Sequence, residues 1–194
     1  KAAIGEGFAI YPSHNLHMLL YAASMDGQGA IAMQAGKDYA KLTGDSFYQA
    51  LTMIRFGRFD EVLEVKNRPS PAILGGFWDF AQGYAQLRTG NADFARVYLD
   101  RVKKAADTSK DVFREHTAKN LLGTVAGILE GEILLAAGDS SGGIAALEQA
   151  VAIEDRLEKR VREAEIEQVL HRLLAEVVVD TKDRVLGEDG LQRP

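Results

Sequence analysis

The feature that most constrains the fold of this sequence is a recurring segment made of an apolar-periodic helix, a turn with glycine and a second helix. It occurs as "MLLYAASMDGQGAIAMQAGKDYA", "YQALTMIRFGRFDEVLEV", "DFAQGYAQLRTGNADFARVYLDRV" and "GILEGEILLAAGDSSGGIAALEQAV". The turn glycines are Gly27, Gly57, Gly90 and Gly138, separated by 30, 33 and 48 residues. The last separation is long because "TSKDVFREHTAKN" precedes the fourth segment. This spacing indicates helical hairpins that bury their apolar faces against one another.

Small residues recur at fixed distances from these glycines. Gly83 and Gly131 each lie seven residues before one of them. The positions five residues after a turn glycine are Ala32, Val62, Ala95 and Gly143. We expect both positions to lie where antiparallel helices cross, because a bulky side chain there would force the helices apart. We expect positive φ at the turn glycines. The alternative is an unrelated helical bundle in which each glycine is an ordinary helix stop.

From Tyr11 to Leu157 the sequence resembles the tetratricopeptide repeat superfamily, whose period is roughly 34 residues. The segments "YPSHNLHMLLYAASMDG", "IRFGRFDEVL" and "EGEILLAAGDSSGGIAALEQAVAIEDRL" are similar to a bacterial group of such proteins. The resemblance implies an all-α, right-handed α-α superhelix that binds a protein or peptide, in a bacterial cytoplasm or periplasm. The large aromatic residue that the family has early in the first helix is missing here.

The chain divides into a repeat array over residues 1–157 and a charged segment over residues 158–194. We expect hairpins near 14–42, 46–66, 74–106 and 117–155. The segment after Leu157 carries an apolar stripe at helical spacing, including Val161, Val169 and Leu173. Two interpretations are open: a helix that caps the last hairpin, or a helix that pairs with its copy in a homodimer.

Composition excludes several classes of function. The formal net charge of −5 argues against a nucleic-acid partner, and the absence of cysteine excludes thiolate sites and disulfides. No apolar run is long enough to span a membrane. Because the chain begins with Lys, we expect a fragment or a processed product. No phosphate loop, dinucleotide loop, Gly-x-Ser-x-Gly elbow or His-Glu-x-x-His motif is present, so neither an enzyme nor a cofactor is expected.

In tetratricopeptide arrays the first helices of the hairpins line a concave groove, and this places many aromatic residues there. The expected partner-binding residues are His14, Asn15, His17, Tyr21, Phe47, Tyr48, Arg55, Phe77, Phe80, Tyr84 and Arg88. Met18, Leu51, Ile128, Glu132 and Leu135 fall on the same face. Aromatic rings with arginine forks are typical of binding hot spots, although each ring could instead pack between hairpins. Arg55 and Arg88 hold equivalent positions from which both could bind a carboxylate, and surface ion pairing is the alternative.

His14 and His17 raise a second possibility. Residues three apart on a helix project in similar directions and can hold a metal, but a stable site needs further ligands, which the nearby sequence does not supply. Packing and partner contact both remain open for His17. The sequence therefore predicts a scaffold module that binds a protein or peptide. The alternative is a metal- or small-molecule-binding auxiliary domain of a larger enzyme.

Overall fold

The computed structural model describes residues 11–113 and 116–157. The chain divides into two compact units, Lys1–Ile153 and Glu154–Pro194, and residues 154–157 are the described part of the second unit. The described residues are almost entirely helical, which confirms the all-α class. The helix expected within 158–194 lies outside the described residues. Among the residues described, no helix combines the length and the apolarity that crossing a membrane requires.

Eight helices in the described part follow one another as four pairs. They are α1 (Tyr11–Met25) and α2 (Gly29–Thr43), α3 (Phe47–Arg55) and α4 (Phe59–Glu64), α5 (Ala72–Arg88) and α6 (Ala92–Thr108), and α7 (Ala118–Ala136) and α8, whose described part covers residues 140–157. The connections within the pairs are short. The connection from α4 to α5 contains Pro69 and Pro71, and Pro71 is the N-cap of α5, which suits a residue with a fixed φ and no N–H.

The same turn closes all four pairs. In the first turn, Gly27 N donates to Ser24 O at 3.4 Å and Gln28 N donates to Ala23 O at 2.8 Å. The other three turns repeat these two hydrogen bonds at the equivalent residues. This is a Schellman motif, which requires a left-handed residue at the glycine position. The turn glycines have φ values between 67° and 89°, so their predicted conformation is confirmed.

The small residues lie at close approaches between helices, as the sequence predicts. A Cβ added to Gly83 of α5 would lie 2.8 Å from Leu129 Cδ2 of α7 and 2.8 Å from Tyr98 Cβ of α6. A Cβ added to Gly131 of α7 would lie 2.7 Å from Leu147 Cγ in α8. The residues five positions after the turn glycines are all buried; they are Ala32, Val62, Ala95 and Gly143. The helices can therefore approach closely at these positions.

Successive pairs pack against one another in chain order. The first helices contact each other as α1 with α3, α3 with α5, and α5 with α7. The second helix of each pair also contacts the first helix of the next pair. One buried cluster, which includes Val62 and Trp78, fills the interface between the second and third pairs. Another, which includes Leu99 and Leu122, fills the interface between the third and fourth.

The inserted segment, residues 109–117 between α6 and α7, contains two short strands. Strands β1 (Val112–Phe113) and β2 (His116–Thr117) form an antiparallel ladder. Asp111 Oδ2 accepts a hydrogen bond of 3.2 Å from Ala72 N, the first residue of α5. The insertion thus docks onto the start of α5.

Candidate functional site

Counting back from each turn glycine places residues of the four first helices at equivalent positions. The position seven residues before the glycine is buried in all four: Leu20, Ala50, Gly83 and Gly131. The position six residues before it is never buried: Tyr21, Leu51, Tyr84 and Glu132. The position two residues before it is always exposed: Met25, Arg55, Arg88 and Ala136. Because the first helices contact one another in order, the last two positions form two accessible rows. We call these eight residues the first-helix face.

The large, exposed apolar side chains of the first-helix face lie on α1. The exposed fractions of Tyr21 and Met25 are 56% and 62%, and these residues lie one turn apart. Met18, at 48% exposure, is one turn before Tyr21. His14 and Asn15 are also exposed on this helix. The spacing of three, four and seven residues places His14, Met18, Tyr21 and Met25 on one side of α1, and Asn15 lies about 100° around the helix from His14.

Arg55 and Arg88 occupy the two middle positions of the row that lies two residues before each turn glycine. Arg55 Nε donates to Ser24 O at 3.0 Å, and Arg55 Nη2 lies 3.8 Å from Met25 Sδ. This contact links the first pair to the second and supplies a donor to the C-terminal end of α1. No carboxylate among the described residues forms an ion pair with Arg55 or Arg88.

Arg88 is oriented by aromatic rings. Its guanidinium carbon lies 5.4 Å from the centroid of Phe59 and 6.0 Å from that of Tyr84, both within reach of a cation–π interaction. Stacking of this kind holds the plane of the guanidinium while its edge can still donate hydrogen bonds. The arrangement suits recognition of a carboxylate.

His17 packs among aromatic rings at the boundary between the first two pairs. Its ring centroid lies 4.3 Å from that of Tyr48 and 6.3 Å from that of Tyr39, and the two tyrosine rings meet edge to face at 5.1 Å. His17 and Tyr48 are half-buried. Across residues 11–113 and 116–157, no group of three or more His, Cys, Asp or Glu side chains is placed to hold a metal ion.

The phenylalanines expected in the groove have different environments. Phe47 and Phe80 are buried, with exposed fractions of 5% and 7%. Phe77 is half-buried, and its ring centroid lies 5.2 Å from that of Phe47. Phe80 contacts Tyr84 with a centroid distance of 5.8 Å. These rings therefore pack between helices and support the accessible rows, and we do not include them in the first-helix face.

Three residues were not selected from the sequence: Met25 and Ala136 of the first-helix face, and Phe59, which contacts Arg88. Met25 lies two residues before its turn glycine, as Arg55 and Arg88 do, so the repeat register alone was sufficient to find it. Phe59 contributes from a second helix, and only the packing of α4 against α5 brings its ring under Arg88.

The chain was compared with protein-family models, with curated proteins and with solved structures, and none of the three comparisons gives a match.

Proposed function

We propose that this chain is a tetratricopeptide-like scaffold module that binds a segment of a protein or peptide along the first-helix face. In this proposal the four helix pairs follow one another in a right-handed superhelix. The identical turns, the small residues at helix crossings and the contacts between successive first helices support this arrangement.

The observation that carries the proposal is the pattern of the exposed row two residues before the turn. Its order along the chain is Met25, Arg55, Arg88 and Ala136. Two cations are therefore flanked by apolar side chains, and an adjacent row supplies Tyr21 and Tyr84. A partner that fits has one or two carboxylates between apolar side chains. Burial of the rings supplies affinity, and the arginines fix the register.

Selection from a random peptide display library tests the proposal. We expect selected peptides to contain acidic residues flanked by apolar ones. Two variants, Tyr21→Ser and Arg88→Glu, remove features of the face, and their binding should fall by about tenfold or more, equivalent to about 1.4 kcal/mol. Both side chains are exposed, so the thermal midpoints of these variants should stay close to that of the original chain.

Matched controls lie on α6, a second helix. Phe94 is 63% exposed and Arg96 is exposed, so Phe94→Ser and Arg96→Glu make equivalent changes away from the face. They should bind the selected peptides as the original chain does. Equal binding by face and control variants, or a library that yields no specific binder, would refute the proposal.

A further inference from the structure

A cleft on another side of α5 is lined by more cations than anions, although the chain as a whole has a negative net charge. It has a volume of ≈ 610 Å³ and lies where the C-terminal part of α6 meets the start of α5 and the inserted segment. Its charged lining consists of Arg68, Asp79, Arg101, Lys104, Lys110 and Asp111. Ala72 and Asp79 lie roughly 120–180° around α5 from Tyr84 and Arg88, at 100° per residue. The cleft is therefore separate from the first-helix face.

The cations of the cleft exceed its anions after internal pairing. Arg68 is neutralised by Asp79, to which its Nη2 donates at 2.8 Å. That leaves Arg101, Lys104 and Lys110 against Asp111, an excess of two positive charges in a chain whose net charge is −5. None of these three cations has an ion-pair partner in the part of the chain that the structure describes.

Two guanidinium groups of the cleft, those of Arg101 and Arg68, are held in place before any ligand arrives. The guanidinium carbon of Arg101 lies 5.0 Å from the ring centroid of Tyr98. Arg68 lies across Gly75, where an added Cβ would be 2.6 Å from Arg68 Nη1. Its hydrogen bonds to Asp79 raise the pKa of Arg68, against the opposing effect of burial. Prior ordering of charged donors lowers the entropic cost of binding an anion.

The inserted segment builds one wall of the cleft. Ser109, Lys110 and Asp111 line it. Asp111 Oδ2 accepts a hydrogen bond of 3.2 Å from Ala72 N, and Asp111 N donates one of 3.1 Å to Ser109 Oγ. The extra residues that lengthen the last repeat spacing thus contribute a lysine and a hydroxyl to a cationic cleft.

We propose that this cleft binds the phosphate group of a small phosphate monoester. Such a group carries about −1.5 to −2 charges near neutral pH, which matches the excess of two positive charges. Guanidinium and ammonium groups are its usual partners. The volume lies within the range of about 300–1,000 Å³ found for small-molecule sites, so the cleft has room for the rest of the molecule.

Titration calorimetry of the complete chain with inorganic phosphate, glucose 6-phosphate and a phosphoserine peptide tests the proposal. The cleft variant Lys104→Gln/Lys110→Gln removes two exposed cations. The control Arg96→Gln/Lys119→Gln makes the same change in net charge with two exposed residues that do not line the cleft. We expect glucose 6-phosphate to bind more tightly than inorganic phosphate, and its affinity to fall about tenfold to a hundredfold in the cleft variant alone.

Three results would overturn this assignment. The first is no heat of binding for the sugar phosphate at about 10 mM, a concentration that detects even millimolar affinity. The second is an equal loss of affinity in the cleft and control variants, which would indicate general electrostatic attraction. The third is binding of the phosphopeptide or of inorganic phosphate that equals or exceeds binding of glucose 6-phosphate, since a small ester would then not be the preferred ligand.

Discussion

The carboxylate of Asp79 lies inside the protein and is held by one guanidinium, that of Arg68. Asp79 is 1% exposed, whereas the side chain of Arg68 is 41% exposed. Arg68 Nε lies 3.1 Å from both carboxylate oxygens, and Nη2 lies 2.8 Å from Oδ2. The pair joins the connection after α4 to the middle of α5.

This difference in exposure predicts an asymmetric response to mutation. Arg68→Leu leaves a buried carboxylate unpaired and should lower the free energy of unfolding by about 3 kcal/mol. Asp79→Asn leaves a cation that can still reach water and should cost less. Urea denaturation followed by the fluorescence of Trp78, the single tryptophan of the chain, measures both. Equal losses, or a loss with Arg68→Leu no greater than with the exposed Arg96→Leu, would contradict the prediction.

Gly83→Ala should destabilise the packing of α5 against α6 within the third helix pair. The added Cβ would lie 2.8 Å from Tyr98 Cβ, an atom fixed to its backbone, so α5 and α6 must separate slightly. We expect a loss of about 1–3 kcal/mol in the free energy of unfolding. Gly123→Ala in α7 is the control, because its Cβ would meet only Ile153 Cδ1, at 3.6 Å. That variant should be neutral or more stable by up to about 1 kcal/mol.

Gly90→Ala should destabilise the same region for a different reason. Gly90 has a φ of 89° and no heavy atom within 4 Å of an added Cβ, so the cost comes from the backbone alone. We expect a loss of about 1–2 kcal/mol. Gly90→Asn should recover part of it, since Asn tolerates this conformation better. A loss for Asn as large as that for Ala would argue against conformational strain as the cause.

Asp139→Ala should weaken the start of α8. Asp139 Oδ1 accepts a hydrogen bond of 2.9 Å from Gly142 N, as an N-cap side chain does. The equivalent Asn91 makes no capping hydrogen bond with its side chain. We therefore expect Asp139→Ala to lower the free energy of unfolding by about 1 kcal/mol. Asn91→Ala should have little effect, and equal losses would contradict the capping role.

The sequence predicted features that depend on single backbone positions. A left-handed turn at Gly27 or a close helix crossing at Gly83 requires a particular residue type, so the spacing of glycines reveals it. The pairing of Arg68 with Asp79 and the docking of the insertion at Ala72 have no local pattern. Both contacts depend on where the chain folds back on itself in three dimensions. The spacing of residues along the sequence does not specify this.

Whether the side chain ten residues before a turn glycine is buried depends on the position of its helix pair in the array. Phe47 and Phe80 lie ten residues before their turn glycines, as do His17 and Ile128. The two phenylalanines are buried, while His17 and Ile128 are half-buried. The second and third pairs have a described neighbour on both sides, whereas the first and fourth have one. The same repeat position therefore has different surroundings, and helical periodicity alone cannot separate these cases.

Phe80→Ala and Tyr21→Ala should accordingly affect different properties: the first should lower stability, and the second should weaken peptide binding while leaving stability almost unchanged. Phe80 is 7% exposed, so its removal leaves a cavity and should cost about 3–5 kcal/mol in the free energy of unfolding. Tyr21 is 56% exposed, and its removal should change that free energy by less than about 0.5 kcal/mol. In the proposed function, Tyr21→Ala should still weaken capture of selected peptides. Urea denaturation and a peptide-binding titration measure the two effects separately. A stable Phe80→Ala variant would contradict the core position of that ring, and unchanged peptide affinity in Tyr21→Ala would contradict its place on the first-helix face.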